Sequence, residues 1–357
     1  ALLGMATKYS ECVLAIVYRE KGPYGIRGGP MYYIEKGMGE RYRFLAILFS
    51  ACASIAVLGT GNMVQANAVS GALTELFSPM VPLDPFYLKT MTGLLLCIAT
   101  GAVIVGGIRR IGRVASYLMP FMVLLYLGGC LAVLLLNSDK LLPAFGQIIY
   151  CDTSSVAITG GFAGGGVWLA MRMGVARGAF SNEAGLGSAP MAYATVKTDH
   201  PVKGGLIALL EPFVDTIIVC TSTALVIIIS GLWKGDASGA VLTSRAFESQ
   251  LPLLGRHIVP ITLTLFAYSS IIGWYYYGEK SIEYLAGSSW IPSYKALFLA
   301  VLFIGAVTKL DIVWSFADIF NALMALPNLV ALILLSGVVK EKTEEYFRRV
   351  QYNKKSP

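Results

Sequence analysis

Charged residues are scarce in this 357-residue sequence, at 14% of the chain, whereas soluble domains carry about 25%. There are only two histidines, and the spacing of the six cysteines suggests neither a zinc site nor a disulfide framework. These shortages leave little material for a catalytic or metal centre and disfavour an enzyme. The net charge of +7 would hint at nucleic acid in a soluble protein, but here the basic residues sort between apolar segments, so we expect no nucleic acid partner.

Long apolar runs dominate what is present, and a run of roughly 20 residues can cross a lipid bilayer. Because lipid offers the backbone no hydrogen-bond partners, such runs must be helical, and the sequence predicts an all-α polytopic membrane protein. We predict one transmembrane domain over 1–340 and a tail over 341–357. The nine predicted spans, of which the eighth is the shortest, are 1–18, 45–76, 88–108, 115–137, 163–195, 205–231, 259–285, 295–308 and 312–338.

The lysines and arginines between the spans sort to one side. Strict alternation puts nineteen of them on the side of the tail and six on the other side. The positive-inside rule then predicts a cytoplasmic C-terminus and places Ala1 outside. Since no signal peptide precedes Ala1, we expect one further span upstream of it.

Two long connecting loops suggest internal symmetry. They are 19–44, after the first predicted span, and 232–258, after the sixth. With one span added before Ala1, the ten spans form two sets of five with the long loops on opposite faces, as in the inverted repeats of secondary transporters. The first repeat, 1–137, would then lack its first helix, and the second would run from 157 to 338. A chance match of two loops explains the same pattern and stays open.

The segment 177–190 combines three glycines with Ser, Asn, Glu and Pro inside a run of membrane-spanning length. This composition suits a broken helix better than a continuous one. Helix ends at a break present free N–H and carbonyl groups, which suit a carboxylate and a sodium ion respectively. A kink with packing duties only is the alternative.

Polar residues also occur inside two other predicted spans. Ser269 and Ser270 can supply oxygen ligands to a cation, and Trp274 lies one turn beyond Ser270. Serine bonding to its own helix and tryptophan packing explain the same residues equally well. Interhelical hydrogen bonding is the simplest interpretation of the amide residues in the second span, Asn62, Gln65 and Asn67.

Acidic residues within the predicted spans could bind cations or relay protons. Because charge is so sparse, we favour structural ion pairs with Lys8, Arg172 or Arg177. The acids concerned are Glu183, Glu211, Asp215, Asp318 and Glu279.

Six stretches, spread in order over the chain, carry a family resemblance. They are GMATKYSE at 4–11, GGPMYYI at 28–34, GNMVQAN at 61–67, FSNEAGLGSAP at 180–190, KTDHP at 197–201 and GWYYYGE at 273–279. On these residues the sequence resembles the alanine or glycine:cation symporter family, also called sodium:alanine symporters.

The resemblance implies a LeuT-type fold of two inverted five-helix repeats with the first core helix missing. It implies sodium-driven uptake of alanine, glycine or similar small amino acids across the plasma membrane of a bacterium, with no cofactor beyond the coupling Na⁺. It places a sodium site at Ser269 and Ser270. The substrate-binding residues that it implies are Gln65, Phe180, Ser181, Asn182, Gly185 and Trp274.

One departure from the family pattern matters for function. The family's first core helix, which should supply half of both sites, is not in this sequence, so we expect transport from the intact parent and not from this chain alone. A proton-coupled or passive facilitator is the alternative function. A channel lacks recurring filter residues here, and a membrane enzyme lacks a catalytic constellation.

Overall fold

The computed structural model describes residues 1–22, 25–150, 163–237, 239–308 and 310–355. The start of the predicted second repeat, 157–162, and the last two residues of the predicted tail lie outside the described residues. Helices make up most of the described chain, and their bounds are α1 Leu2–Val17, α2 Pro30–Met38, α3 Arg43–Leu58, α4 Val64–Phe77, α5 Pro85–Ile104, α6 Gly107–Leu136, α7 Ser138–Tyr150, α8 Ala163–Asn182, α9 Ala189–Tyr193, α10 Pro201–Ala208, α11 Leu210–Pro212, α12 Thr221–Ser230, α13 Gly239–Gln250, α14 Gly255–Ala286, α15 Ile291–Val307, α16 Leu310–Leu334 and α17 Ser336–Lys355.

Shorter elements join these helices. Two π-helical segments, Gly59–Met63 and Phe213–Cys220, connect α3 to α4 and α11 to α12, and 3₁₀ turns cover Glu40–Tyr42, Leu232–Lys234 and Ser288–Trp290. The strands β1 Glu20–Gly22 and β2 Gly25–Arg27 form an antiparallel hairpin in which Glu20 lies opposite Arg27. The predicted loop 19–44 is therefore structured, as is 232–258, which contains α13.

Seven helical stretches among the described residues are long and apolar enough to cross a membrane. They are Glu40–Phe77, Pro85–Ile104, Gly107–Leu136, Pro201–Ser230, Gly255–Ala286, Ser288–Val307 and Ala317–Leu334. The prediction of an all-α polytopic membrane protein is thus confirmed. Helix also occupies the two other predicted spans, where α1 is only 16 residues long and α8 is separated from α9 by a break. The count of nine spans and their division into repeats stay predictions.

The predicted limits of the eighth span were too narrow. Helix α15 begins at Ile291, four residues before the predicted start, and has Pro292 in its first turn. Proline is well tolerated there because the first N–H groups of a helix have no partner within the helix.

Helix α14 lies at the centre of the bundle and packs against α3, α4 and α6, while α15 packs on α4 and α5. Small residues allow the closest approaches. A Cβ atom on Gly61 would lie 2.1 Å from Cβ of Trp274, and one on Gly305 would lie 2.6 Å from Cα of Met63. Such close backbone contact lets helices pack tightly where the hydrophobic effect cannot drive association.

Polar side chains of the π-helical segment Gly59–Met63, called the π-segment from here on, and of α4 bond to the neighbouring helices. Asn62 Nδ2 donates to the Phe298 carbonyl at 2.7 Å, and Asn67 Nδ2 donates to the carbonyl of Thr308 at 2.6 Å. The interpretation of these two amides as interhelical hydrogen-bond donors is confirmed.

Candidate functional site

The helix formed by α8 and α9 is interrupted in the middle of the bundle. Helix α8 ends at Asn182 and α9 begins at Ala189, and between them Glu183, Gly185 and Gly187 have φ values of 55°, 89° and 80°. Glycine adopts this left-handed conformation freely, whereas a glutamate does so at a cost, which indicates that its side chain is held in place. The break predicted from the segment 177–190 is present.

Two distant helices satisfy the backbone of the break. Glu11 of α1 accepts a hydrogen bond from the Gly187 N–H at 3.1 Å and one from Asn328 Nδ2 at 2.5 Å. Asn328 of α16 also donates to the Gly185 carbonyl at 2.9 Å, and Tyr33 donates to Asn328 Oδ1. Buried backbone groups outside a helix need such partners, so α1 and α16 together fix the shape of the break.

Glu183 connects the break to the centre of α14. Its carboxylate accepts hydrogen bonds from Trp274 Nε1 at 2.8 Å and from Ser188 Oγ at 2.6 Å. Trp274 is 4% exposed, and its ring stands edge-on to Tyr277 and packs on Gly61. The break, α14 and the π-segment therefore meet at one tryptophan.

Lys8 supports the end of α8. Its ammonium group, which is fully buried, donates to the Asn182 carbonyl at 2.9 Å and pairs with Glu211 at 3.0 Å. A cation at the C-terminus of a helix also complements the helix dipole. Arg177 and Asp318 form a second pair at 2.5 Å. The interpretation of these two acids as structural ion-pair partners is thus confirmed.

The predicted substrate residues of α8 and the break face different surroundings. Asn182 accepts from the Ala184 N–H at 3.1 Å and donates to Thr216 Oγ1 at 3.3 Å, and Gly185 lies in the break itself. Ser181 is exposed and donates to Asp215 at 2.6 Å. Phe180 packs on Trp314, with the ring centroids 4.9 Å apart.

Gln65 reaches the same region indirectly. Its Nε2 donates to the Thr60 carbonyl at 3.3 Å, and Thr60 donates in turn to Asn321 Oδ1 at 2.8 Å. Gln65 is four residues after Gly61, the residue on which Trp274 packs, and so lies about one helical turn beyond it.

The predicted cation ligands are on α14, one turn before Trp274. Ser269 donates to the Phe266 carbonyl at 2.8 Å, which leaves its oxygen lone pairs available. Ser270 is half-buried, and its hydroxyl has no hydrogen-bond partner among the described residues. Neither hydroxyl bonds to the break. No cluster of three or more His, Cys, Asp or Glu side chains that could hold a metal ion occurs in the described part of the chain.

Glu11, Asn328 and Tyr33 were not predicted as site residues. Glu11 and Asn328 are polar residues inside apolar runs. Because a polar side chain inside a membrane costs free energy, these two residues could have been recognised as candidates from the sequence. Lys8 was considered only as an ion-pair partner.

Comparison with known proteins decides the family. The family model described as the sodium:alanine symporter family matches residues 1–357. The chain belongs to the sodium:alanine symporter family. This symporter is therefore a multi-pass membrane transporter that couples the transport of amino acids to that of a cation. The prediction that it is not an enzyme is confirmed.

Named relatives align with most of the symporter. It is 45% identical over 353 residues to the sodium/alanine symporter AgcS of Methanococcus maripaludis, covering 97% of the chain and 75% of AgcS. It is 36% identical over 356 residues to the probable sodium/glutamine symporter GlnT of Bacillus subtilis, covering 99% of the chain and 72% of GlnT. It is 34% identical over 367 residues to the putative sodium/proton-dependent alanine carrier protein YrbD of Bacillus subtilis, covering 98% of the chain and 73% of YrbD.

Proposed function

We propose that the protein carries alanine, glycine or similar small neutral amino acids into the cell with sodium, by alternating access. The observation that carries the proposal is the interrupted helix between Asn182 and Ala189, set deep in an apolar bundle. Interrupted helices of this kind form the substrate sites of secondary transporters, where the helix ends face the charged groups of the substrate. AgcS is named a sodium/alanine symporter and GlnT a probable sodium/glutamine symporter, and both names support sodium as the coupling ion and an amino acid as the substrate.

We assign the amino acid to the surface formed by the break, Trp274 and Gln65. The indole is held by Glu183 at 2.8 Å, so its ring is fixed against the break. A fixed aromatic wall beside a short interrupted segment favours a small side chain over a large one. Phe180, Ser181 and Asn182 complete this proposed surface on the α8 side.

We assign sodium to Ser269 and Ser270. Sodium is a hard cation that takes oxygen ligands, as calcium and magnesium do. The Ser270 hydroxyl has no hydrogen-bond partner among the described residues, so it can turn a lone pair toward an ion.

Proton coupling is the second candidate. Glu11 and Glu183 are carboxylates at the break, and Glu11 Oε2 has no hydrogen-bond partner among the described residues. The name of YrbD includes both ions. A buried carboxylate in a membrane protein is a common element of a proton pathway.

The deciding test is uptake of labelled alanine and glycine into proteoliposomes, with an inward gradient of sodium, of protons or of neither. Saturable uptake that requires the sodium gradient supports the proposal. Uptake that follows only the proton gradient would show that the coupling ion is the proton and not sodium. Uptake without any gradient would show facilitated diffusion instead of symport.

Replacing one serine tests the cation site. In Ser270→Ala, we expect the sodium concentration for half-maximal uptake to rise about tenfold, as loss of one oxygen ligand implies, while the half-maximal alanine concentration at saturating sodium changes little. Ser222→Ala is the matched control, because the Ser222 hydroxyl donates only to the carbonyl of Ile218, one turn earlier in the chain. Unchanged sodium dependence in Ser270→Ala would remove this residue from the site.

A further inference from the structure

A cavity of about 720 Å³ lies at the end of the bundle that the sequence predicts to be cytoplasmic. The loop between α5 and α6, the hairpin strand β2, the end of α14 and the start of α15 enclose it. None of the residues of the helix break lines it, and the proposed transport function does not use it.

Positive charge exceeds negative charge in the described lining of this cavity. Arg109, Lys280 and Lys295 line it together with one acid, Glu279. Lys280 pairs with Glu283 at 2.7 Å, a carboxylate that it shares with Arg27. Arg109 and Lys295 have no carboxylate partner among the described residues. Two cations that pair with no carboxylate therefore share the cavity with one acid, and this excess of positive charge favours an anionic group.

The apolar part of the lining sets the level of the cavity in the membrane. Val105 lines it and is 71% exposed, and Ile291 and Pro292 line the opposite side. The adjacent Trp290 is 58% exposed. Exposed tryptophan beside lysine and arginine is typical of the membrane–water interface, where lipid headgroups lie.

We propose that this cavity binds the headgroup of a phospholipid, with the phosphate held by Arg109 and Lys295. Glu279 then faces the ammonium group of an ethanolamine headgroup, so the site selects a zwitterionic aminophospholipid over an anionic one. The acyl chains leave past Val105 toward the bilayer. A free phosphate ester would satisfy the two cations in the same way but would leave this apolar side uncovered.

Lipid binding can be measured without transport, so its failure is distinct from a failure of the proposed function. The delipidated protein in detergent is titrated with phosphatidylethanolamine, phosphatidylglycerol or water-soluble phosphoethanolamine, and bound molecules are counted by native mass spectrometry. We expect phosphatidylethanolamine to bind most tightly. Equal binding of soluble phosphoethanolamine would overturn the lipid assignment, and a preference for phosphatidylglycerol would overturn the role of Glu279.

Paired variants test the residues. In Arg109→Gln with Lys295→Gln, we expect phosphatidylethanolamine affinity to fall about tenfold or more, the loss that removal of charge-assisted hydrogen bonds produces. Arg113→Gln is the control, because Arg113 follows Arg109 by one turn, is exposed and does not line the cavity. Lys295→Arg keeps the charge and should keep the affinity. An equal loss in the control, or no loss in the double variant, would overturn the site.

Glu279→Gln separates a recognition role from a structural one. We expect weaker binding of phosphatidylethanolamine and unchanged or tighter binding of phosphatidylglycerol, because only the ammonium headgroup loses a partner. Parallel weakening of both lipids would contradict the proposed contact.

Discussion

At the scale of single residues, Gly61 is the position where the π-segment meets α14. Any Cβ atom there would lie 2.1 Å from Cβ of Trp274, and helix backbones cannot separate without disturbing the other contacts of α14. We expect Gly61→Ala to destabilise the protein by about 1–3 kcal/mol, as overpacking does. Gly71→Ala is the matched control in the following helix, since nothing lies within 4 Å of its added methyl. Thermal unfolding in detergent measures both, and equal midpoints would contradict the predicted clash.

Trp274 holds Glu183 by a single indole N–H. In Trp274→Phe an aromatic ring still packs on Gly61, but the carboxylate loses one of its two side-chain donors. A buried acceptor left short of a donor costs about 1–3 kcal/mol, so we expect a lower unfolding midpoint together with weaker alanine binding. Trp290→Phe, at an exposed tryptophan, should change neither quantity. Alanine binding that survives Trp274→Phe would remove the indole from the proposed site.

The residues of the site were only partly predictable. Composition alone identified the break at 177–190, because glycine, proline and polar groups are conspicuous inside an apolar run. The partners that shape it were not predictable from local pattern, since Glu11 and Asn328 are 317 positions apart in the chain. Only the packing of α1 against α16 brings them together.

At the scale of elements, the length of each apolar run predicted where a helix occurs. The residues at which a helix begins and ends depend on local sequence features that hydropathy does not describe. Helix α15 extends back to Ile291 through a proline that the first turn tolerates. The hairpin of β1 and β2 and the helix α13 lie in segments read as loops, because short or moderately polar elements give no long apolar run.

His200 makes the start of α10 sensitive to pH. Its Nδ1 accepts a hydrogen bond from the Val202 N–H at 3.3 Å, and its ring lies 5.0 Å from that of Tyr346 in α17. Burial lowers the pKa of His200 from its ordinary 6.5, against the opposing effect of Glu345. The charged groups around it are Arg19, Asp199, Lys342, Glu345 and Arg349.

Because the folded state binds this proton less readily than the unfolded state, acidification below pH 6.5 costs stability. We expect the protection of amides in the first turn of α10 and in α17 against hydrogen exchange, corrected for the intrinsic chemical rate, to fall as the pH is lowered from about 7.5 to about 5.5, a range that spans the titration of histidine. His200→Asn keeps a capping acceptor without a titration in this range. In this variant the corrected protection should not change with pH, and an identical fall would assign the effect to another group.

At the scale of the whole molecule, the hairpin is tied to the end of α14 by buried charge. Glu283 is 1% exposed in its side chain and receives Arg27 Nε at 2.9 Å and Lys280 at 2.7 Å. The tie joins residues 256 positions apart, so it links a connecting segment to the central helix. A rearrangement that moves β2 away from α14 must break it.

Glu283→Gln removes the shared carboxylate and leaves two cations near each other without compensation. Breaking one partner of a buried ion pair costs about 3–5 kcal/mol, so we expect much faster amide exchange in β2. Glu20→Gln is the control on the same hairpin. It breaks the pair of Glu20 with Lys36, whose side chains are 37% and 43% exposed, and exposed pairs contribute about 0–1 kcal/mol. Equal exchange in both variants would contradict a tie at Glu283.

The π-segment at Gly59–Met63 has a consequence for how this gene can vary in length. A π-turn holds one residue more than an α-turn, so the flanking helices keep their relative orientation although the segment is one residue longer. Deleting a single codon within this segment would restore regular helix and leave α4 facing as it does now. Asn67 and Ser70 would then keep the carbonyls of α15 that they reach now, at 3.1 Å for Gly305 and 2.6 Å for Ala306. A one-codon deletion in α4 ahead of Asn67 has no extra residue to remove, and because each residue advances a helix by about 100°, it would turn the following side chains of α4 away from their partners.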